Sequence, residues 1–434
     1  RVICVCLWLT LGAFMYPAWA KTAQGTEKLS TRAQIVLCKA GRLMTKKEYG
    51  RAILTLTEFQ ARGDSVSASK GAQHPEISFV LGNCYLVQEN YKAAATAYQR
   101  ALARDPAFTS AWLNLARASY EQKEYGRAGQ CFTTAYETAE EKQAEYLYYS
   151  ATAFLMAKQH TRSIAVFEQL LKTYPAEIKP EWKEYLVHAL LAAEQPRRAL
   201  PLIEELAREY GGSKRIRWQE ILLYQYLQLD MQPKALAYAL ELTLENPTFA
   251  KWWKALVHVR LNSGNYKDGL VAMIVYGWLT PLTGEELRLL ADLYLQLEIP
   301  AKAAPLYETA LHNKPNKRLL KNLVMAFQQL DRPEEALKRL ETYKEDGNNP
   351  ELLLLKGDLL YGLKKFNAAA YAYRQAADEK SKQTGRAWLM AGYAAWQDAD
   401  LQGSHQAFKQ ASLFSKHKKA ALEAMQYIQK EQKL

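Results

Sequence analysis

A catalytic or metal centre in this 434-residue chain would have to be assembled from seven histidines, five cysteines and the carboxylates. The histidines are His74, His160, His188, His258, His312, His405 and His417, and none has a second His or Cys at metal-ligand spacing along one helix face. There is no G-x-x-x-x-G-K-[ST], G-x-G-x-x-G, G-x-S-x-G or H-E-x-x-H, so the phosphate-cradling, nucleophile-elbow and zinc-protease patterns are missing. Cys4 and Cys6 lie in the apolar start of the chain. Cys38, Cys84 and Cys131 are an odd number without close spacing, which makes neither a zinc site nor a disulfide framework. They read as small buried hydrophobes, structural and unpaired. A Ser/His/Asp or paired-carboxylate site drawn from distant segments stays open. No catalytic, cofactor-binding or metal-binding residue is assigned, and no cofactor is expected.

The basic surplus is the next feature that could act on a partner. There are 57 Lys and Arg against 45 Asp and Glu, a formal charge of +12. Such a balance suits nucleic acid, but the basic residues are scattered and the N-terminus points to export. Arg1 precedes an apolar run from Val2 to Tyr16, then Pro17 and Ala18-Trp19-Ala20, the layout of a secretory signal cleaved after Ala20. That run is shorter than the roughly 20 apolar residues a membrane span needs. Val271 to Leu282 is too short as well and reads as core helix. The expectation is a periplasmic protein with no span after cleavage and no nucleic-acid partner. An acidic partner, an anionic envelope polymer or solubility remain as reasons for the charge.

The elements that position these residues come from repetition. The length exceeds one ordinary core, and 49% hydrophobic residues with only 15 Pro and 21 Gly is a folded composition. Leu81-Gly82-Asn83-Cys84-Tyr85 is followed by Asn90-Tyr91-Lys92-Ala93-Ala94, Tyr98, Ala101-Leu102 and Pro106. Trp112, Leu115-Ala116, Glu124-Tyr125, Ala128, Phe132 and Ala135 repeat the pattern about 34 residues on. Repeats start near 33, 75, 109, 144, 180, 216, 250, 284, 317, 350 and 385. Their second helices carry small anchors at Ala52, Ala94, Ala128, Ser163, Ala199, Ala235, Gly269, Ala303, Ala336, Ala369 and Ser404. Four residues later stands a large apolar side chain in ten of eleven, Ala239 being the exception. Small residues let antiparallel helices approach, the knob one turn on fills the gap, and Pro106, Pro175, Pro247, Pro281 and Pro315 stop the second helices. Repeats at 180, 216 and 250 are degenerate, with Val187, Leu223 and Val257 where Gly or Ala is usual, which predicts more open packing.

These motifs resemble the tetratricopeptide repeat. The resemblance implies an all-α, right-handed superhelical solenoid of antiparallel helix pairs, about eleven repeats plus a capping helix. The organisation expected is a signal at 1–20, an N-terminal helical repeat over 21–61, a flexible loop over 62–74, the solenoid over 75–415 and the cap over 416–434. Leu422, Met425 and Ile428 would form the cap's one apolar stripe.

In this family the first helix of each repeat lines the concave face, with partner-facing positions two, five, nine and twelve. Carried over, they give an aromatic and mixed N-terminal zone of Phe79, Asn83, Arg117, Tyr120 and Tyr148. A charged central zone follows, with Glu184, His188, Arg217, Glu220, Lys251, Lys254, His258, Arg288, Asp292, Arg318 and Lys321. An apolar C-terminal zone has Leu354, Tyr361, Leu389, Tyr393 and Trp396. Exposed aromatics would be binding anchors, and the recurring cations would form a strip for an acidic partner, with Asp292 able to pair with Arg288. Phe79 stands where the carboxylate clamp of chaperone-binding relatives has Lys. The resulting expectation is an exported, non-catalytic scaffold that binds proteins or peptides within a bacterial envelope complex. The array length and Gly392-Tyr393-Ala394-Ala395-Trp396 are similar to the repeat subunits that accompany Ton-type energy-transduction systems. A polysaccharide-export or secretion scaffold is the alternative, and an enzyme with an unrecognised site the third reading.

Overall fold

The computed structural model describes residues 29–62, 69–313, 316–343, 349–378 and 381–431. The expected signal, Cys4, Cys6 and Pro315 lie outside them. Among the described residues all regular structure is helical. The chain divides into two compact units, Arg1–Leu229 and Asp230–Leu434.

In the first unit the helix pairs are Thr31–Thr45 with Tyr49–Arg62, Pro75–Val87 with Tyr91–Arg104, and Thr109–Glu121 with Tyr125–Thr138. Ala144–Met156 with His160–Thr173 and Pro180–Ala192 with Pro196–Glu209 follow, and Gly212–Gln228 completes the unit. The second unit opens on Gln232–Glu245. Its pairs are Ala250–Asn262 with Tyr266–Leu279, Gly284–Gln296 with Pro300–Asn313, and Lys317–Gln329 with Pro333–Thr342. Pro350–Gly362 with Phe366–Asp378 and Thr384–Gln397 with Leu401–Ala411 come next, then the cap Lys418–Glu431. Within each unit every one of these long helices packs on the next, so each unit is a solenoid of helix pairs. The degenerate repeats starting near 180 and 250 form the same pairs as the others.

Sequence punctuation sets the turns. Each first helix is followed by one residue in left-handed conformation: Lys47, Glu89, Lys123, Lys158, Glu194, Asp230, Gly264, Glu298, Asp331, Lys364 and Ala399. The next N–H then reaches back to close the helix, as Asn90 does to the Tyr85 carbonyl at 2.9 Å and Lys365 to Leu360 at 2.9 Å. Ten of these eleven residues carry a Cβ, at a cost of about 1–2 kcal/mol each that the turn's hydrogen bonds offset. The reversals thus recur once per repeat, from Lys47 to Ala399.

All eleven small anchors are buried. Where the anchor is Ser, its hydroxyl is satisfied: Ser163 donates to the Ala151 carbonyl at 2.8 Å and Ser404 to Gly392 at 2.9 Å. The knob four residues on packs against the first helix of its own repeat. A Cβ on Gly82 would lie 2.5 Å from the Tyr98 ring, one on Gly357 2.4 Å from Tyr373, and one on Gly392 2.6 Å from Phe408. Where the first helix offers Val187 or Val257 instead, the residue sixteen positions on is Ile203 or Met273, both buried. A larger residue on one helix meets a non-aromatic one on the other.

Within the expected 62–74 loop, Ser69–Ala72 is a helical turn, Ala72 is buried, and Gly71 lies so close to Ser30 that a Cβ would meet its hydroxyl at 2.2 Å. Two expectations change. The Val271–Leu282 stretch is not wholly core, because Val271 is 55% and Trp278 79% exposed on the outer face of their helix. In the cap, Ala421, Ala424 and Ile428 are buried, while Leu422 falls on the outer side at 41% exposure. The buried set 421, 424, 428 follows the helical period that Leu422 misses.

Candidate functional site

The aromatic residues expected to be anchors are half-buried and pack against neighbouring rings. Phe79 sits between Tyr98 and Phe108, with ring centroids 5.9 and 4.7 Å away. Tyr120 meets Tyr125 edge-on at 5.0 Å, and Tyr148 stacks on Trp182 at 5.1 Å with planes 16° apart. In the second unit Tyr361 meets Phe366 at 5.4 Å, Tyr393 meets Phe408 at 5.0 Å, and Trp396 lies against Tyr427 of the cap at 5.3 Å. All six are half-buried, and Leu354 is core. Aromatic side chains at these positions line the seams between helices and are half-buried rather than fully exposed.

Asn83 is likewise engaged. Its Oδ1 accepts from the Tyr98 hydroxyl and from Asn114 Nδ2, both at 2.8 Å. The arrangement recurs in the second unit: Asp292 Oδ1 accepts from Tyr307 at 2.5 Å and from Asn322 Nδ2 at 3.0 Å. Asp358 accepts from Tyr373 at 2.7 Å and from Arg386 at 2.9 Å. An acid or amide at position nine therefore latches the knob Tyr of its own repeat to the first helix of the next. Burial and the adjacent carboxylate raise the pKa of Tyr307 and of Tyr373. The sequence signal was present, an Asn or Asp fifteen residues before a Tyr, but it marks cohesion rather than a partner. Asp292 thus serves the latch, and no ion pair joins it to Arg288 among the described contacts.

The charged zone is only partly a strip. Lys254 bridges to Glu286 at 2.7 Å and Lys321 to Glu351 at 2.5 Å, with Lys317 3.6 Å from the same carboxylate. Lys254 and Lys321 are therefore neutralised, because Glu286 and Glu351 lie on the following first helices within reach. Lys251, Arg318 and His258 are exposed, and Arg288 is half-buried. Burial lowers the pKa of His258, and the Lys254 ammonium adds to the shift. In the first unit Arg117 is half-buried, and His188 lies 6.4 Å from the Trp218 ring with its pKa lowered by burial. Both histidines are neutral near pH 7.

Glu286 was not anticipated. It is buried at the start of its helix, where it and Thr283 form a reciprocal capping box. Burial alone would raise its pKa. The Lys254 ammonium, the Thr283 N–H and hydroxyl, and the Tyr276 hydroxyl together outweigh that and hold it at about 2. Thr283-x-x-Glu286 was the legible signal.

No group of three metal-ligating side chains occurs among the described residues. Cys84 and Cys131 are buried, and burial pushes their thiols up to about 12 and about 11. Cys38 is exposed, contrary to the expectation of burial, because it falls on the solvent side of Thr31–Thr45. No described helix is long and apolar enough to cross a membrane.

A tetratricopeptide repeat family model matches residues 43–107, 79–142 and 321–384. The degenerate repeats starting near 180, 216 and 250 lie outside these ranges. No curated protein matches the chain by sequence. Among solved structures, Naa15/Naa10 bound to HypK-THB is 15% identical with a TM-score of 0.43, the alignment covering 90% of this chain and 65% of that one. The chain therefore spans less than two thirds of that relative. Yeast Tom70 is 14% identical over 92% of this chain and 95% of its own, with a TM-score of 0.30. A tetratricopeptide repeat protein from Parabacteroides merdae is 14% identical over 58% of this chain and 98% of its own, with a TM-score of 0.33. The matched stretches are tetratricopeptide repeats, a kind of repeat that builds protein-interaction scaffolds.

Proposed function

We propose that the chain is an exported, non-catalytic scaffold that holds protein partners on the face of its first helices within a bacterial envelope complex. The observation that carries this reading is the division of labour among the position-two, -five and -nine side chains. Aromatics and amides take part in packing and latches, whereas Arg288 and Arg318, on consecutive first helices, have no ion pair among the described residues. A face that retains charge after its own packing is complete is suited to steering and orienting an oppositely charged protein. The apolar run before Ala18-Trp19-Ala20 supports export. Similarity to the repeat subunits of Ton-type systems makes such a complex the first place to look.

The test is fractionation and crosslinking of the tagged full chain in a Gram-negative host. The expected outcome is a periplasmic product beginning at Lys21 that is recovered with a protein partner at a fixed ratio. A cytosolic product that keeps residues 1–20 contradicts export. Recovery of polysaccharide without protein contradicts the partner class.

A further inference from the structure

Tyr266–Leu279 is the second helix of its repeat, and from Gly269 onward it carries no charge on any side. A helix of that kind is ordinarily covered all round. Here the outer face stays open: Val271 is 55% and Trp278 79% exposed, with Val275 half-buried between them. Lys267, one turn before Val271, is exposed on the same face. The fold does not require this, because the equivalent outer positions are Thr96, Arg100 and Ala103 in one repeat and Gln130, Thr134 and Glu137 in the next. At the level of Trp278 on the preceding second helix stands Leu244, 80% exposed, which widens the patch. These side chains leave on the order of 400 Å² of apolar surface open, a size at which patches on folded chains are often functional.

The order of residues along the face is complementary to itself. Lys267, Val271, Val275 and Trp278 are spaced four, four and three apart, so the stripe laid on its own reverse sets Val against Val and Lys against Trp. In an antiparallel pair each Lys267 ammonium meets the Trp278 ring of the other copy, a cation–π contact. It also reaches the negative end of that helix. There Thr280 N–H closes on the Tyr276 carbonyl, Pro281 has no N–H, and the carbonyls beyond Tyr276 lack a helical donor. Within its own copy Lys267 has no ion pair among the described residues. The neighbouring carboxylate, Asp268, is held by Arg260 at 3.1 Å and by Asn265 at 3.0 Å.

We propose that this face joins two copies of the chain through an isologous, antiparallel pair of Tyr266–Leu279 helices. A bilayer surface fits it less well. Glu241 is exposed on the preceding second helix without an ion pair among the described residues, and an anionic headgroup layer would repel it. The patch is smaller than the roughly 800 Å² per partner of a standard interface, so the pair is reversible rather than obligate. It lies on second helices and is independent of what the first helices bind.

Sedimentation of the full chain between about 1 and 100 μM tests the pairing, a range suited to an interface below standard size. The unaltered chain is expected to pass from monomer to dimer across it. Trp278→Lys sets lysine against lysine and should weaken association at least about tenfold. Adding Lys267→Glu to that variant sets lysine against glutamate and should bring the dimer back, most strongly at low salt. Adhesion without register predicts no recovery, because both variants lack Trp278. Both side chains are exposed, so thermal midpoints should match that of the unaltered chain, which separates lost pairing from lost fold. A chain monomeric throughout, a dimer indifferent to Trp278→Lys, or a double variant no better than the single would each overturn the proposal. A monomer that floats with phosphatidylcholine–phosphatidylglycerol vesicles, and no longer does so as Trp278→Ala, would assign the face to a bilayer instead.

Discussion

Glu286 shows how one carboxylate ties two repeats together and what that costs in acid. Its pKa of about 2 lies below the ordinary carboxylate value of 4.5, so its stabilising share is complete above about 4.5 and is lost as pH falls toward 2. A shift of that size corresponds to at most about 3 kcal/mol. Because solenoid stability is local, the readout is amide exchange in Ala250–Asn262 and Gly284–Gln296. Protection there should weaken between pH 4.5 and 2.5 in the unaltered chain and change far less over that range in Glu286→Gln. Equal pH dependence in the two proteins would contradict the assignment. The sequence made the positions of Phe79, Asn83 and Lys254 legible as first-helix positions, but not what each would meet. Asn83 is claimed by Tyr98 and by Asn114 thirty-one residues on, and Lys254 by Glu286 thirty-two residues on. Residue spacing names a face, whereas the partner across a repeat boundary decides whether the side chain remains available.

At the scale of the helix pair, the anchors and knobs were readable because steric fit leaves few choices. A close crossing requires a small residue, and all eleven predicted anchors are buried. Less legible was the trade in volume that lets the degenerate repeats keep the same pairing, since Val187 or Val257 looks like a defect until read with Ile203 or Met273. The trade gives a double-mutant cycle. Gly357→Val pushes against the Tyr373 ring, already 2.4 Å from where a Cβ would sit, and should cost about 1–3 kcal/mol. Adding Tyr373→Ile recreates the Val187–Ile203 pairing and should recover about 1 kcal/mol or more relative to the sum of the single changes, measured by denaturant unfolding. Additive effects would mean that the two positions do not share one packing site. The outer face of Tyr266–Leu279 escaped the sequence reading, because a helix apolar all round does not announce which side stays exposed.

At the scale of the molecule, repetition spends most of the chain on cohesion and leaves function to whatever each first helix has spare. A positive balance of +12 is therefore a poor guide by itself: many lysines and arginines close bridges between helices, as Lys183 does with Glu205 and Glu209 and Arg339 with Glu308. The cations that matter are those without such a bridge, and the partner is expected on the first-helix face around them. Site-specific photocrosslinking in the living host tests that directly. A photoreactive residue at His258 or Met325, both exposed at position nine of their repeats, should capture one and the same protein. The same label at Thr309 or Lys338, exposed on second helices, should not. Capture from Thr309 and Lys338 but not from His258 and Met325 would contradict the claim that the first helices hold the partner.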